Sequence, residues 1–74
     1  MYGSYLVDGA ITMRELNRLT KMNLPTRGAR TLNGLVTNYL EVIPRPGIGL
    51  KIGDVPIEII DVKDNKVKVA RIFK

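Results

Sequence analysis

An α+β fold with the order β-α-α-β-β-β, in which a small antiparallel sheet carries two helices on one face, is what this sequence predicts. Three observations point to it. Apolar residues recur every three or four positions from Leu32 to Ile43, the spacing of one helical face. Thr12 is followed three residues later by Glu15, a pairing that opens helices. Beyond Pro46 the chain changes to short runs rich in valine and isoleucine, separated by Gly53-Asp54 and Asp64-Asn65, both suited to two-residue hairpin turns.

The elements follow in order. Ser4-Tyr5-Leu6-Val7 reads as a short strand closed by Asp8-Gly9, a dipeptide that tolerates the positive φ of a tight turn. In the capping box the Thr12 hydroxyl accepts from the Glu15 amide while the Glu15 carboxylate reaches back, with Ile11 and Leu16 spaced as a hydrophobic staple. A helix from Met13 to Lys21 is expected, with Leu16 and Leu19 inward, stopped before Pro25 because the residue preceding proline is pushed out of the helical region. Pro25 to Arg30 forms a polar, basic loop.

The second helix starts at Thr31, and its stripe is Leu32, Leu35, Val36, Tyr39, Leu40 and Ile43. Gly34 within it costs about 1 kcal/mol against alanine, which argues for close backbone packing at that point. Pro44-Arg45-Pro46-Gly47 turns the chain into strands at Leu50 to Ile52, Val55 to Val62 and Lys66 to Phe73. In the last strand Val67 and Val69 share a face and Ile72 falls on the other, so either a bulge or a switch in burial is required.

Composition bounds the chemistry. The 74 residues support one domain with one core, spanning 1–74, and contain neither cysteine nor histidine. Disulfides, thiolate or imidazole metal sites and Ser-His or Cys-His catalytic pairs are excluded by inventory, so no enzyme activity is expected. No apolar run reaches the ~20 residues of a membrane span, and Met1-Tyr2-Gly3-Ser4 lacks the regions of a signal peptide, so the segment reads as soluble. The net charge of +5 suits a nucleic-acid face, a position near anionic lipid, or plain solubility.

Several segments, in this order, resemble the transporter-associated domain of the CorC/HlyC family. They are Gly3-Ser4-Tyr5-Leu6-Val7-Asp8-Gly9, Glu15-Leu16-Asn17, Thr31-Leu32-Asn33-Gly34-Leu35-Val36, Ile43-Pro44 with Gly47, and Pro56-Ile57-Glu58-Ile59. The resemblance implies a non-catalytic domain cut from a longer bacterial membrane protein. Such a domain follows a membrane region and a pair of CBS domains of the same polypeptide, on the cytoplasmic face of the inner membrane. It modulates the efflux of ions such as magnesium or cobalt. The family fold is also similar to part of certain FAD-binding domains, so FAD enters by fold resemblance alone and no cofactor is expected. The basic loop Thr26-Arg27-Gly28-Ala29-Arg30 departs from relatives in which acidic residues are common there.

Candidate sites are few. Arg27, Gly28 and Arg30 ahead of the second helix are the nearest thing to an anion or nucleotide site, since two guanidiniums and a helix start could meet one ligand. The rival explanation is a solvated basic loop. No metal site is expected: Asp8, Asp54 and Asp64 are explained by turns and Glu15 by capping. Lys63, Lys66, Lys68, Arg71 and Lys74 would have to carry nucleic-acid binding, but aromatic platforms are scarce and Tyr39 belongs to the helical stripe, so no nucleic acid is expected. Tyr2 and Tyr5 form the candidate contact patch for a neighbouring domain, and self-association into a homodimer stays open.

Overall fold

The structure, a computed structural model, describes residues 3–73. Six elements follow in the predicted order: β1 (Ser4–Asp8), α1 (Met13–Thr20), α2 (Leu32–Leu40), β2 (Gly49–Ile52), β3 (Val55–Lys63) and β4 (Lys66–Phe73). The strands form one sheet in the order β1-β4-β3-β2, antiparallel throughout.

Turn chemistry sets the meander of the last three strands. Gly53 has φ 61° at the first position of the β2–β3 turn. Asp64 and Asn65 have φ of 53° and 62°, the double left-handed geometry whose twist matches that of paired strands. Between β3 and β4 the register runs Ile59 with Ala70, Asp61 with Val69, then Val62 with Val67. Ile60 on one strand and Lys68 on the other are therefore extra residues. These irregularities answer the question of phase: Val67, Ala70 and Ile72 are all buried, while Val69 is only half-buried.

The core joins one face of the sheet to both helices. Ile52, Ile57, Ile59, Val67, Ala70 and Ile72 pack in one cluster with Met13 and Leu16 of α1, Leu32, Leu35 and Val36 of α2, and Leu24 and Ala29 from the loop between them. Full burial of each larger aliphatic chain contributes about 1.5–3 kcal/mol.

The first helix ends within one residue of expectation, and the second ends earlier than its apolar spacing suggests. Lys21 takes a left-handed conformation at φ 59° and closes α1 ahead of Pro25. Leu19, expected inward, is 53% exposed, and Thr20 is buried instead with its hydroxyl donating to the Leu16 carbonyl at 2.8 Å. Only half of the capping box forms: Thr12 Oγ1 accepts from the Glu15 N–H at 3.1 Å, while the Glu15 carboxylate accepts from Arg18. The hydrogen bond from Arg18, aided by its charge, holds the Glu15 carboxyl below its ordinary value. Beyond the helix, the Asn17 side chain donates to the Leu24 carbonyl at 3.0 Å and accepts from the Leu24 N–H at 2.9 Å, so the loop is clamped with Leu24 in the core.

In α2 the left-handed residue is Glu41, φ 57°, whose N–H donates to the Thr37 carbonyl at 3.2 Å. The stripe is cut there, so Ile43, expected inward, is 60% exposed; Tyr39, also expected inward, is 51% exposed in the last turn of the helix. Gly34 also differs from expectation. A Cβ at this position would lie 3.5 Å from Thr31 Oγ1 and 3.8 Å from the Ala29 Cβ, ordinary contacts that need no glycine. Gly34→Ala is therefore expected to stabilise the fold by about 0.5–1 kcal/mol, read as a higher urea midpoint at unchanged slope. A lower midpoint would show that Thr31 or Ala29 cannot accommodate the methyl.

Gly9 is needed for a reason other than the predicted one. It does not adopt a positive φ; its backbone lies directly against β4. Its N–H donates to the Lys68 carbonyl and its carbonyl accepts from the Asn33 N–H, both at 2.8 Å. The Asn33 side chain accepts from the Val67 N–H at 2.8 Å, beside the irregularity at Lys68, and so ties the start of α2 to β4.

Candidate functional site

The two helix starts are joined side by side. Thr12 and Thr31 form an isolated antiparallel bridge, in which the Met13 N–H donates to the Arg30 carbonyl at 2.9 Å and the Leu32 N–H to the Ile11 carbonyl at 3.0 Å. This arrangement decides what each helix start can offer a ligand. In α2 the first four N–H groups are all occupied, Leu32 by Ile11, Asn33 by Gly9, Gly34 by the Thr31 hydroxyl, and Leu35 by the Thr31 carbonyl. No amide of that first turn is left for an anion. In α1 the N–H of Arg14 has no acceptor among the described residues.

The predicted anion-site residues Arg27, Gly28 and Arg30 are all exposed. Gly28 turns the loop at φ 83°, and its carbonyl accepts from the Asn38 amide at 3.2 Å. Arg30 instead lines a cleft of about 420 Å³ together with Thr12, Met13, Arg14, Thr26 and Ala29. Arg27 is not among the lining residues. Arg14 is thus a candidate that the residue pattern did not single out, because only the bridge between the helix starts makes it a neighbour of Arg30. The one ion pair among the described residues is Glu15 with Arg18, so Arg14 and Arg30 have no carboxylate within ion-pair reach there.

Tyr2 lies outside the described residues. Tyr5 is not an exposed contact residue: it is half-buried opposite Ile72 and packs on the core, because alternation along β1 turns Tyr5 and Val7 toward the helices. The same alternation turns Leu6 to the bare face of the sheet, where it is 60% exposed and begins a row that continues through Arg71 and Glu58 to Gly49. Val42 and Ile43, beyond α2, are a second exposed apolar pair. Lys63, Lys66 and Lys68 are exposed at the far end of the β3–β4 hairpin. Among the described residues, no three acidic side chains come together in a way that could hold a metal ion.

A helix pair on one face of a four-stranded antiparallel sheet, with the other face bare, is the architecture of a transporter-associated domain. The chain belongs to the CorC/HlyC transporter associated domain family, whose model matches residues 2–74. It is 41% identical over 71 residues to the UPF0053 inner membrane protein YfjD of Escherichia coli (strain K12), covering 96% of this chain and 17% of that protein. The chain therefore spans only a small part of its relative's length. A conserved protein of unknown function from Haemophilus influenzae Rd KW20 superposes with a TM-score of 0.88 at 40% identity, covering 95% of this chain and 86% of that one. The CorC_HlyC domain of a Xylella fastidiosa Temecula1 hemolysin, solved in complex with Mg²⁺ and Mn²⁺, gives 0.81 at 26% identity, covering 95% and 85%.

Proposed function

We propose that this chain is a non-catalytic regulatory domain of an inner-membrane ion transporter, acting through contacts with the rest of the polypeptide. In this reading the partners are the membrane region and a CBS pair of the same protein, the domain lies on the cytoplasmic face, and the transported ions are of the magnesium and cobalt type. Family membership and the inner-membrane relative support the setting. The observation that carries a contact role is the bare face of the sheet, with Leu6 60% exposed beside the half-buried Arg71, Glu58 and Phe73. A face that is polar and apolar by turns, left uncovered by the helices, suits an intramolecular interface of modest size.

The test is Leu6→Glu in the full-length transporter, with Mg²⁺ and Co²⁺ tolerance of the cells as the readout. Exposure of Leu6 predicts that the substitution leaves the melting temperature of the isolated chain within a few degrees (~4 °C) of the parent. Tolerance is expected to change several-fold. Unchanged tolerance, with the fold intact, would rule out this face as the working contact.

A further inference from the structure

We propose that the cleft between the starts of α1 and α2 binds a phosphoryl group through Arg14 and Arg30. Arg14 and Arg30 come from different elements, yet the Thr12–Thr31 bridge brings both residues to the lining of one cavity of about 420 Å³. None of the six lining residues is acidic, and neither arginine has a carboxylate partner among the described residues. An oxyanion bound in this cleft would meet two cations and no competing carboxylate.

The surroundings reinforce this choice of charge. Five of the twelve basic residues but only one of the seven acidic ones fall between Ala10 and Leu40. That acid, Glu15, is already taken by Arg18. The helical layer is therefore strongly cationic, while the remaining carboxylates belong to the sheet, its turns and the end of α2.

Donors are available in the number a phosphate needs. Thr12 Oγ1 accepts from the Glu15 N–H, which leaves its O–H free to donate, and Thr26 supplies a second hydroxyl. The Arg14 N–H adds a backbone donor. Buried Met13 and Ala29 form an apolar floor that keeps water from one side. A planar carboxylate is satisfied by a single guanidinium fork, whereas a tetrahedral phosphate has oxygens enough to take two forks and the hydroxyls together. The source is either a soluble phosphate ester or the headgroup of an anionic lipid.

The experiment is a titration of the ¹⁵N-labelled chain at constant ionic strength, with three probes: inorganic phosphate, ADP and phosphatidylglycerol vesicles. Saturable shifts are expected at the amides of Thr12, Arg14, Thr26 and Arg30. Affinity should fall about tenfold or more in Arg14→Ala and in Arg30→Ala, and stay unchanged in Arg27→Ala. Both arginines are exposed, so these variants keep their fold, and the unshifted core amides of the same spectra report it. Stronger binding of ADP or phosphate assigns a soluble ligand, and saturation only with vesicles assigns a headgroup. The proposal fails if no probe saturates, if the shifts spread evenly over Arg27, Arg45 and the lysines, or if binding survives both substitutions.

Discussion

Replacing Gly9 by alanine is expected to destabilise the domain by roughly 3–5 kcal/mol, the largest effect of any single methyl added to this chain. The new Cβ would stand 1.9 Å from the Val67 carbonyl oxygen and 2.8 Å from its carbon, both backbone atoms rather than the end of a flexible side chain. Relief requires the β1 end and β4 to separate. Three hydrogen bonds of 2.8 Å oppose that separation: Gly9 to Lys68, Asn33 to Gly9, and Val67 to the Asn33 side chain. Each buried group left without its partner costs about 1–3 kcal/mol. A domain of this length has total stability of roughly 4–11 kcal/mol, so the substitution removes a large share of it. Urea titration followed by circular dichroism measures it, and a midpoint equal to the parent's would show that the strands part at no cost.

Ile72→Ala should come second, at about 2–5 kcal/mol, with Ile72→Val costing about 0.5–1.5 kcal/mol. Ile72 is fully buried on β4, an inner strand of the sheet, and faces Tyr5 on one side and Ile57 on the other. Truncation removes atoms from the middle of a three-strand row, where sheet pairing on both sides limits collapse into the void. A drop in melting temperature of roughly 10 °C or more is expected for the alanine variant. A drop under about 4 °C would mean that the helices settle into the space.

The contrast between these two sites describes what could be read from the residues. Ile72 was legible as apolar, but its direction was not, because the extra residues Ile60 and Lys68 reset the alternation and no local signal marks them. Gly9 was legible as special for the wrong reason: a dipeptide suggests a turn, while close approach to a strand almost sixty residues away is a property of the tertiary fold. The order of elements, the two helix-opening threonines and both hairpin turns were accessible because each rests on residues within four positions of one another. The end of α2 was not: Glu41 adopts left-handed geometry without being glycine or asparagine, and that leaves Ile43 outside the helix. Leu19 is exposed within α1 because Met13, Leu16 and Thr20 share the face that packs on the core.

The candidate sites follow the same division. Arg30 is visible in a basic loop beside a helix start, with Arg27 three residues away as the neighbour that spacing suggests. Arg14 lines the same cleft as Arg30 because of a backbone bridge between two threonines that no spacing rule encodes. Tyr5 was read for its chemistry, whereas strand parity decided its direction and made Leu6 the residue that faces outward.

Pairing of the first strand with the last has a mechanical consequence. Ser4 lies opposite Phe73, so the two ends of the described chain leave the sheet side by side. Hydrogen bonds in an antiparallel pair run perpendicular to the strands. Tension applied between those ends therefore loads the β1–β4 ladder one bond at a time, beginning at Ser4, as a zip opens from its tab. Such a joint yields at low force, strips β1 first, and uncovers the β4 side of the core while the β2–β3–β4 meander is still paired.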